Sequence, residues 1–275
     1  MQKTKFNILA IFLLFISISF LQGCKDDTVT NAPGGPDVSG LIKLNTVSAI
    51  GARANVTLYL EDSLHTGYNK VYAVLYDSLT NVLIEDAHVI PMLTDHATAG
   101  PVEEAPKTAV NGKFPFALVF LSPQALDNVM HWNIKIGVHN HGATGEPYGV
   151  ATFGGLHIKD NVGKYQEKSL PGGTTLYLSY INPKTPTAGL NNFEFLINSS
   201  SDTVNFATET SYSIAVKPVL LSNGTVSSSN VNPTPSGDLG HYFGRVNLPT
   251  AGTWRINMYM TKTGYSDSTY FDVGF

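Results

Sequence analysis

Beyond residue 40, apolar side chains fall on alternate positions in short runs, and turn-forming residues separate these runs. In one such run Trp132, Ile134 and Ile136 alternate with Asn133 and Lys135. A period of two places the three apolar side chains on one face of a strand. No segment of this region keeps an apolar period of 3.6 residues, so the pattern predicts an all-β chain of antiparallel strands.

The runs follow the same order twice. An apolar strand is followed by a strand that meets a proline, then by a strand led by glycine, and last by a strand that begins with tryptophan. The matched runs are 71–78 and 193–199, 87–93 and 214–220, 112–120 and 240–248, and 132–136 and 254–258. The repeated order predicts two tandem immunoglobulin-like antiparallel β-sandwich domains, each with its tryptophan buried between two sheets.

Glycine, proline and charged residues at 160–172 interrupt the strand pattern between the two copies. We therefore predict a first sandwich domain at 40–162 and a second at 172–275. Residues 28–39 contain two prolines, two glycines and small polar residues, which cannot build a core. Residues 24–39 are accordingly predicted to form a flexible tether in front of the sandwiches.

Residues 1–23 have the pattern of an export signal. Lys3 and Lys5 precede an apolar stretch from residue 8 to Phe20, which is shorter than the roughly 20 residues that a membrane-spanning helix needs. The stretch ends in Leu-Gln-Gly-Cys at 21–24, which resembles the lipobox of bacterial lipoproteins. The resemblance implies cleavage before Cys24 and attachment of acyl chains such as palmitate to it. The alternative is an uncleaved anchor with an incidental cysteine.

Lys25, Asp26 and Asp27 follow the cysteine and resemble the short export signal that sends some Gram-negative lipoproteins to the cell surface. The expected location is the cell envelope, with a lipid anchor in the outer membrane and exposure at the surface. Membrane lipid would then be the partner held through Cys24. The net charge of −4, without a basic tract beyond the N-terminus, argues against a nucleic-acid partner.

The second copy also resembles a known family. Its strand at 240–246, followed by Pro249 and Trp254, is similar to the YtkA-like (FixH-like) domain. The resemblance covers residues 175–275 and, more loosely, 45–160, and its motifs imply a fold rather than an activity. Domains of this family often carry methionine and histidine after the strand's proline and occur near copper-handling systems. The resemblance thus implies a metal role for Met92 and His96, although the second copy has no such ligands.

Seven of the eight histidines lie within the first predicted sandwich domain, at 40–162. His139 and His141 face the same side if a strand continues through them. Methionine with histidine suits copper, and the thioether favours Cu(I). The candidate metal ligands are therefore Met92, His96, His139 and His141. The alternative is that all of them are ordinary strand-surface and loop residues.

Neighbouring acids occur at 85–86 and 103–104, but adjacent residues on a strand point to opposite faces, so we expect solvated loop charges. The sequence has no Gly-x-Ser-x-Gly motif and no phosphate-binding glycine loop. We predict a membrane-anchored, non-enzymatic protein without a cofactor, whose sandwiches bind an unknown protein or small ligand. Copper or other heavy-metal handling is the alternative. A polysaccharide hydrolase would need two acids about 5–10 Å apart in a cleft.

Overall fold

The computed structural model describes residues 35–124 and 132–275, and within these ranges the chain forms strands and no helix. The predicted all-β class is confirmed. In the same ranges no helix is long and apolar enough to cross a membrane, and the predicted export signal and Cys24 lie outside them. The strands are β1 (Ile42–Ala49), β2 (Ala54–Leu60), β3 (Gly67–Asp77), β4 (Leu83–Ile84), β5 (Ala87–Asp95), β6 (Thr98–Gly100), β7 (Val102–Glu103), β8 (Phe114–Phe120), β9 (Trp132–Asn140), β10 (Tyr148–Phe153), β11 (Tyr165–Ser169), β12 (Thr175–Asn182), β13 (Gly189–Ser200), β14 (Ala207–Thr208), β15 (Ser213–Leu220), β16 (Val231–Ser236), β17 (His241–Leu248), β18 (Thr253–Lys262) and β19 (Tyr265–Gly274).

The described strands form four antiparallel sheets, two in each half of the chain. The first half has a six-stranded sheet in the order β1-β2-β3-β8-β7, with β4 beside β3, and a four-stranded sheet in the order β10-β9-β5-β6. The second half has a six-stranded sheet in the order β11-β12-β13-β17-β16, with β14 beside β13, and a three-stranded sheet in the order β15-β18-β19. We call the two halves the first and the second sandwich.

Both sandwiches have the strand order of an immunoglobulin constant-type fold, in which sheet A-B-E-D faces sheet C-F-G. Strands β2, β3, β8 and β7 take the A, B, E and D places in the first sandwich, and β5, β9 and β10 take C, F and G. The second sandwich repeats this order with β12, β13, β17 and β16 against β15, β18 and β19. The matched runs of the sequence occupy places B, C, E and F in both sandwiches. The immunoglobulin-like prediction is confirmed, while the division into two domains and the limits of each stay a prediction.

Each pair of sheets encloses its own apolar core around a tryptophan. Trp132 is 1% exposed in the first core and Trp254 is 0% exposed in the second, and both stand at the start of strand F. Buried indoles need a partner for their N–H group. The Trp132 indole donates to the Ser122 carbonyl at 3.2 Å, and the Trp254 indole donates to the Thr250 carbonyl at 2.8 Å. The predicted burial of both tryptophans is confirmed.

The prolines of the two C strands lie where a sheet tolerates them. Pro218 is on β15, which is an edge strand, and Pro91 is on the part of β5 that precedes its pairing with β6. Proline cannot donate a ladder hydrogen bond, so within sheets it is found mainly on edge strands and at positions where no partner strand needs its N–H group. The strand–proline signature of the sequence therefore marks the edge of the C-F-G sheet.

Two segments differ from the sequence prediction. The sequence predicts an interruption of the strands at 160–172, but β11 lies within this segment and pairs with β12. Apart from Tyr165 its side chains are polar, so apolar alternation cannot reveal it. The predicted tether includes residues 36–38, yet Val38 is 5% exposed and the Lys113 ammonium donates to the Asp37 carbonyl. The end of the predicted tether thus packs on the first sandwich.

Candidate functional site

The structure separates the predicted metal ligands into two places. Strands β5 and β9 lie side by side, with His88 opposite His139 and Met92 opposite Lys135. Four residues along a strand span about 13 Å, so Met92 is far from the end of the sheet that holds His139. His96 lies farther still, in the turn after β5, with its Nδ1 2.9 Å from the Asp95 carboxylate. Met92 and His96 therefore do not join His139 and His141 in one site.

His139 and His141 lie together at the hairpin between β9 and β10. Their ring centroids are 5.0 Å apart and the rings are nearly perpendicular. Glu146, on the same hairpin, places a carboxylate oxygen 3.8 Å from His139 Nε2. One potential ligand atom from each of the three residues lies within 4.8 Å of the other two. We call this group the hairpin cluster.

A buried side chain between the two histidines fixes their direction. Asn140 is 1% exposed, and its amide donates to the Ala52 carbonyl at 3.1 Å and accepts from the Gly142 N–H at 3.1 Å. Because Asn140 points into the sandwich, the residues on either side of it point outward. Asp86 holds the His141 ring through a 2.9 Å contact with Nδ1.

A second polar cluster joins the two sandwiches. His241 on β17 lies between two carboxylates, with Nε2 2.7 Å from Glu103 Oε1 and Nδ1 2.9 Å from Glu194 Oε1. Glu103 belongs to the first sandwich, whereas Glu194 and His241 belong to the second. The side chains are only 13–15% exposed. We call this group the junction cluster.

The junction cluster holds its imidazole in the charged form. Burial lowers the pKa of His241, but hydrogen bonds and attraction from Glu103 and Glu194 outweigh it and raise the pKa to about 9. Both ring nitrogens donate, so the ring is an imidazolium at neutral pH. The remaining carboxylate oxygens also have donors, the Tyr68 hydroxyl at 3.2 Å from Glu103 and the Asn182 amide at 2.6 Å from Glu194.

Apolar and backbone contacts surround this ionic cluster. Val119 from the first sandwich packs with Ile181 and Leu196 from the second in a small buried group. The Ala99 N–H donates to the Thr203 carbonyl across the junction at 2.9 Å. The apolar group and the junction cluster connect the A-B-E-D sheets of both sandwiches, whereas Ala99 lies on β6 of the C-F-G sheet.

The junction cluster corrects one expectation from the sequence. The sequence predicts that Glu103 is a solvated loop charge, but its side chain is only 15% exposed and binds an imidazole from the other sandwich. Sequence reasoning does not select His241 at all. The period-two pattern of β17 does place His241 with Phe243 and Arg245 on the outer face, which is the signal available in the sequence. The partner Glu103 is 138 residues away, and only tertiary structure brings it there.

An open groove of about 820 Å³ extends from the junction cluster along the outer face of the second sandwich. Phe243 is 44% exposed in this groove and stacks on the His241 ring. Arg245, Lys184 and Asn192 add charged and polar groups to the lining. The groove thus combines one exposed aromatic ring with charges of both signs, since Glu194 also reaches it.

No protein-family model and no curated protein sequence matches the chain. Among solved structures, domains 5–6 of the S-layer protein SbsC match 85% of this chain and 98% of their own, with 8% identity and a TM-score of 0.30. The Escherichia coli adhesin FdeC matches 84% of this chain and 65% of its own, with 18% identity and a TM-score of 0.25. The Yersinia pseudotuberculosis adhesin InvE matches 84% and 60%, with 11% identity and a TM-score of 0.27. At such scores the fold assignment depends on the strand order of this chain itself.

Proposed function

We propose that this chain is a lipid-anchored protein of the cell envelope whose two joined sandwiches form a non-catalytic binding module. The observation that carries the proposal is the junction cluster. Its imidazolium ring binds one carboxylate from each sandwich, so the cluster serves to hold the module together. A connected pair of sandwiches presents its outer surfaces in a defined arrangement, as a binding protein requires.

A hydrolytic role for the junction acids has little support. Glu103 and Glu194 lie on either side of one ring, an arrangement that resembles the carboxylate pair of a glycosidase. However, the His241 ring fills the space between them and binds an oxygen of each. A substrate bond and its attacking water have no room there. The predicted absence of enzyme activity remains part of the proposal.

The groove beside the junction cluster is the surface we assign to binding. Aromatic side chains and arginine are enriched in the buried centres of protein interfaces. Phe243 and Arg245 supply both on neighbouring outward positions of β17. Their setting favours an extended segment of another envelope protein as the partner.

Photo-crosslinking in intact cells tests this assignment. A benzophenone amino acid replaces Phe243 in the groove or, as the matched control, Tyr259, which is similarly exposed (47%) on the opposite sheet. We expect an adduct of defined mass at the groove position, reduced by excess unlabelled protein and absent at the control position. Identical patterns at both positions would count against the groove as the binding surface. An adduct with glycan would show that the partner is a polysaccharide and not a protein.

The lipid anchor is the second part of the proposal. A single acyl chain binds a membrane only marginally, whereas two or three chains on Cys24 would hold the protein stably. Its support is the lipobox-like sequence at 21–24, since Cys24 lies outside the described residues.

Replacing the cysteine tests the anchor separately from the groove. We expect Cys24→Ala to abolish metabolic labelling with a fatty acid and to release the protein from membranes or leave its signal uncleaved. Cells that carry the unchanged protein are the control for both the labelling and the membrane release. Equal labelling of both proteins would contradict the anchor and leave the binding module untouched.

A further inference from the structure

We propose that His139, His141 and Glu146 bind one divalent zinc or copper ion at the hairpin between β9 and β10. The inference is independent of the proposed binding module, because the hairpin cluster belongs to the C-F-G sheet of the first sandwich and the groove to the second sandwich. It rests on the donor atoms, their mutual distances and the residue that orients one of them.

The donor set selects the class of metal. Two imidazole nitrogens and one carboxylate oxygen suit Zn²⁺ and Cu²⁺, and affinity for such ligands is highest for Cu²⁺ among the divalent first-row metals. Cu(I) prefers thiolate and thioether sulfur. The thioether of Met92 is about 13 Å along the sheet from the His139 position, so it cannot complete this site.

The distances are close to those of a three-ligand site. Ligand atoms around a tetrahedral zinc ion, each about 2.1 Å from the metal, are roughly 3.4 Å apart. His139 Nε2 and the Glu146 carboxylate are already 3.8 Å apart, and the whole group lies within 4.8 Å. Small rotations of the exposed Glu146 side chain would shorten the remaining distances to those between ligand atoms on one metal ion. A water molecule would take the fourth position, because the cluster is open to solvent.

Asp86 accepts the hydrogen bond that a metal-binding histidine usually donates from its second ring nitrogen. Such histidines typically donate their second ring N–H to a carboxylate, which fixes the tautomer and aims the other nitrogen at the metal. Asp86 lies 2.9 Å from His141 Nδ1, leaving Nε2 as the ligand atom of that ring. Asp86 and Glu146 also add two negative charges that favour a cation.

The junction cluster makes an informative contrast. It too has a histidine and two carboxylates, but both ring nitrogens of His241 donate to Glu103 and Glu194. A protonated imidazole has no lone pair for a metal, since metal ligands must be deprotonated. Of these two histidine clusters, only the hairpin cluster has imidazoles whose two ring nitrogens are not both bound to carboxylates.

Metal titration of the full-length protein tests the site. Metal-free protein in detergent at pH 7.5 is titrated with Zn²⁺ and, in a separate series, with Cu²⁺ in competition with a chelator. We expect one equivalent of either ion to bind, and His139→Ala or His141→Ala to abolish this binding. Asp86→Asn should weaken it roughly 10- to 100-fold, the usual effect of removing an orienting carboxylate. Met92→Ala and His96→Ala are the matched controls and should bind as the unchanged protein does.

Spectroscopy separates a ligand role from a folding defect. The electron paramagnetic resonance spectrum of the Cu²⁺ complex should show coupling to two nitrogen atoms in the unchanged protein, whereas Cu²⁺ added to His141→Ala should give only the spectrum of unbound Cu²⁺. Circular dichroism establishes that each variant keeps its strands. The proposal is overturned if neither ion binds at about 100 µM, which corresponds to no more than weak affinity. It is also overturned if Met92→Ala removes as much binding as His139→Ala, because the site would then lie elsewhere.

Discussion

Replacement of His241 by glutamine should destabilise the protein strongly at neutral and mildly acidic pH. The His241→Gln change removes the positive charge between Glu103 and Glu194, which are only 13–15% exposed. One pKa unit corresponds to about 1.4 kcal/mol, so a rise from the ordinary value of 6.5 to about 9 amounts to about 3 kcal/mol. Removal of one partner from a fully buried ion pair costs about 3–5 kcal/mol, and these partly exposed groups belong at the lower end of that range. We expect a loss of about 3 kcal/mol in the free energy of unfolding.

The pH dependence gives this prediction its sign. The folded protein binds the His241 proton more tightly than the unfolded chain does, because the pKa is raised to about 9. The contribution is therefore complete below about pH 6.5, declines as the pH rises, and is lost above about pH 9. The unchanged protein and His241→Gln should differ most at pH 6 and converge near pH 9.5.

Urea unfolding of both proteins at pH 6.0, 7.5 and 9.5 measures the difference. The two tryptophans report on separate cores, so Trp132→Phe and Trp254→Phe backgrounds show how each sandwich unfolds. His96→Gln, on a turn of the first sandwich, is the control and should change little. A difference between the unchanged protein and His241→Gln that stays constant from pH 6 to pH 9.5 would refute the assignment of charge to the junction.

Two further predictions concern packing. Gly149→Ala should destabilise the first sandwich by about 1–3 kcal/mol or more, because the added Cβ would lie 2.3 Å from the Ile50 carbonyl oxygen and backbone cannot move aside easily. The control Gly142→Ala has its nearest contact at 3.5 Å and should stay within about 0.5 kcal/mol, and equal losses in the two variants would argue against the clash. Trp254→Ala should cost about 3–5 kcal/mol in the second core through loss of burial and a cavity, measured by thermal and urea unfolding. A smaller loss in Trp254→Phe is expected, and a near-neutral Trp254→Ala would contradict the buried indole.

The repeated strand order is accessible from the sequence because it depends on local pattern. Alternation at 132–136 and 254–258 marks the F strands, and the buried faces of both agree with it. The prolines at 91 and 218 mark the edge of the C-F-G sheet. Polar strands escape prediction, as β11 shows, because its single aromatic residue, Tyr165, cannot form the alternating apolar run on which the pattern depends.

The two clusters show different degrees of predictability. His139 and His141 can be selected as a pair because they are two residues apart, and the structure places their rings together. Glu146 and Asp86 cannot be selected from the sequence, since Glu146 belongs to a hairpin loop and Asp86 precedes a different strand. Met92 and His96 are candidates because they follow Pro91 in the sequence. In the sheet, however, both lie too far from His139 for their side chains to reach it.

The sequence by itself determined the class of fold, the two buried tryptophans and the candidate lipid attachment at Cys24, because each depends on residues that are neighbours along the chain. Tertiary structure alone decided the charge on His241 and the role of Glu103. Those groups are 138 residues apart in the chain and interact at 2.7 Å. Electrostatic attraction depends on separation in space and on burial, and neither is encoded in the local alternation of apolar and polar residues.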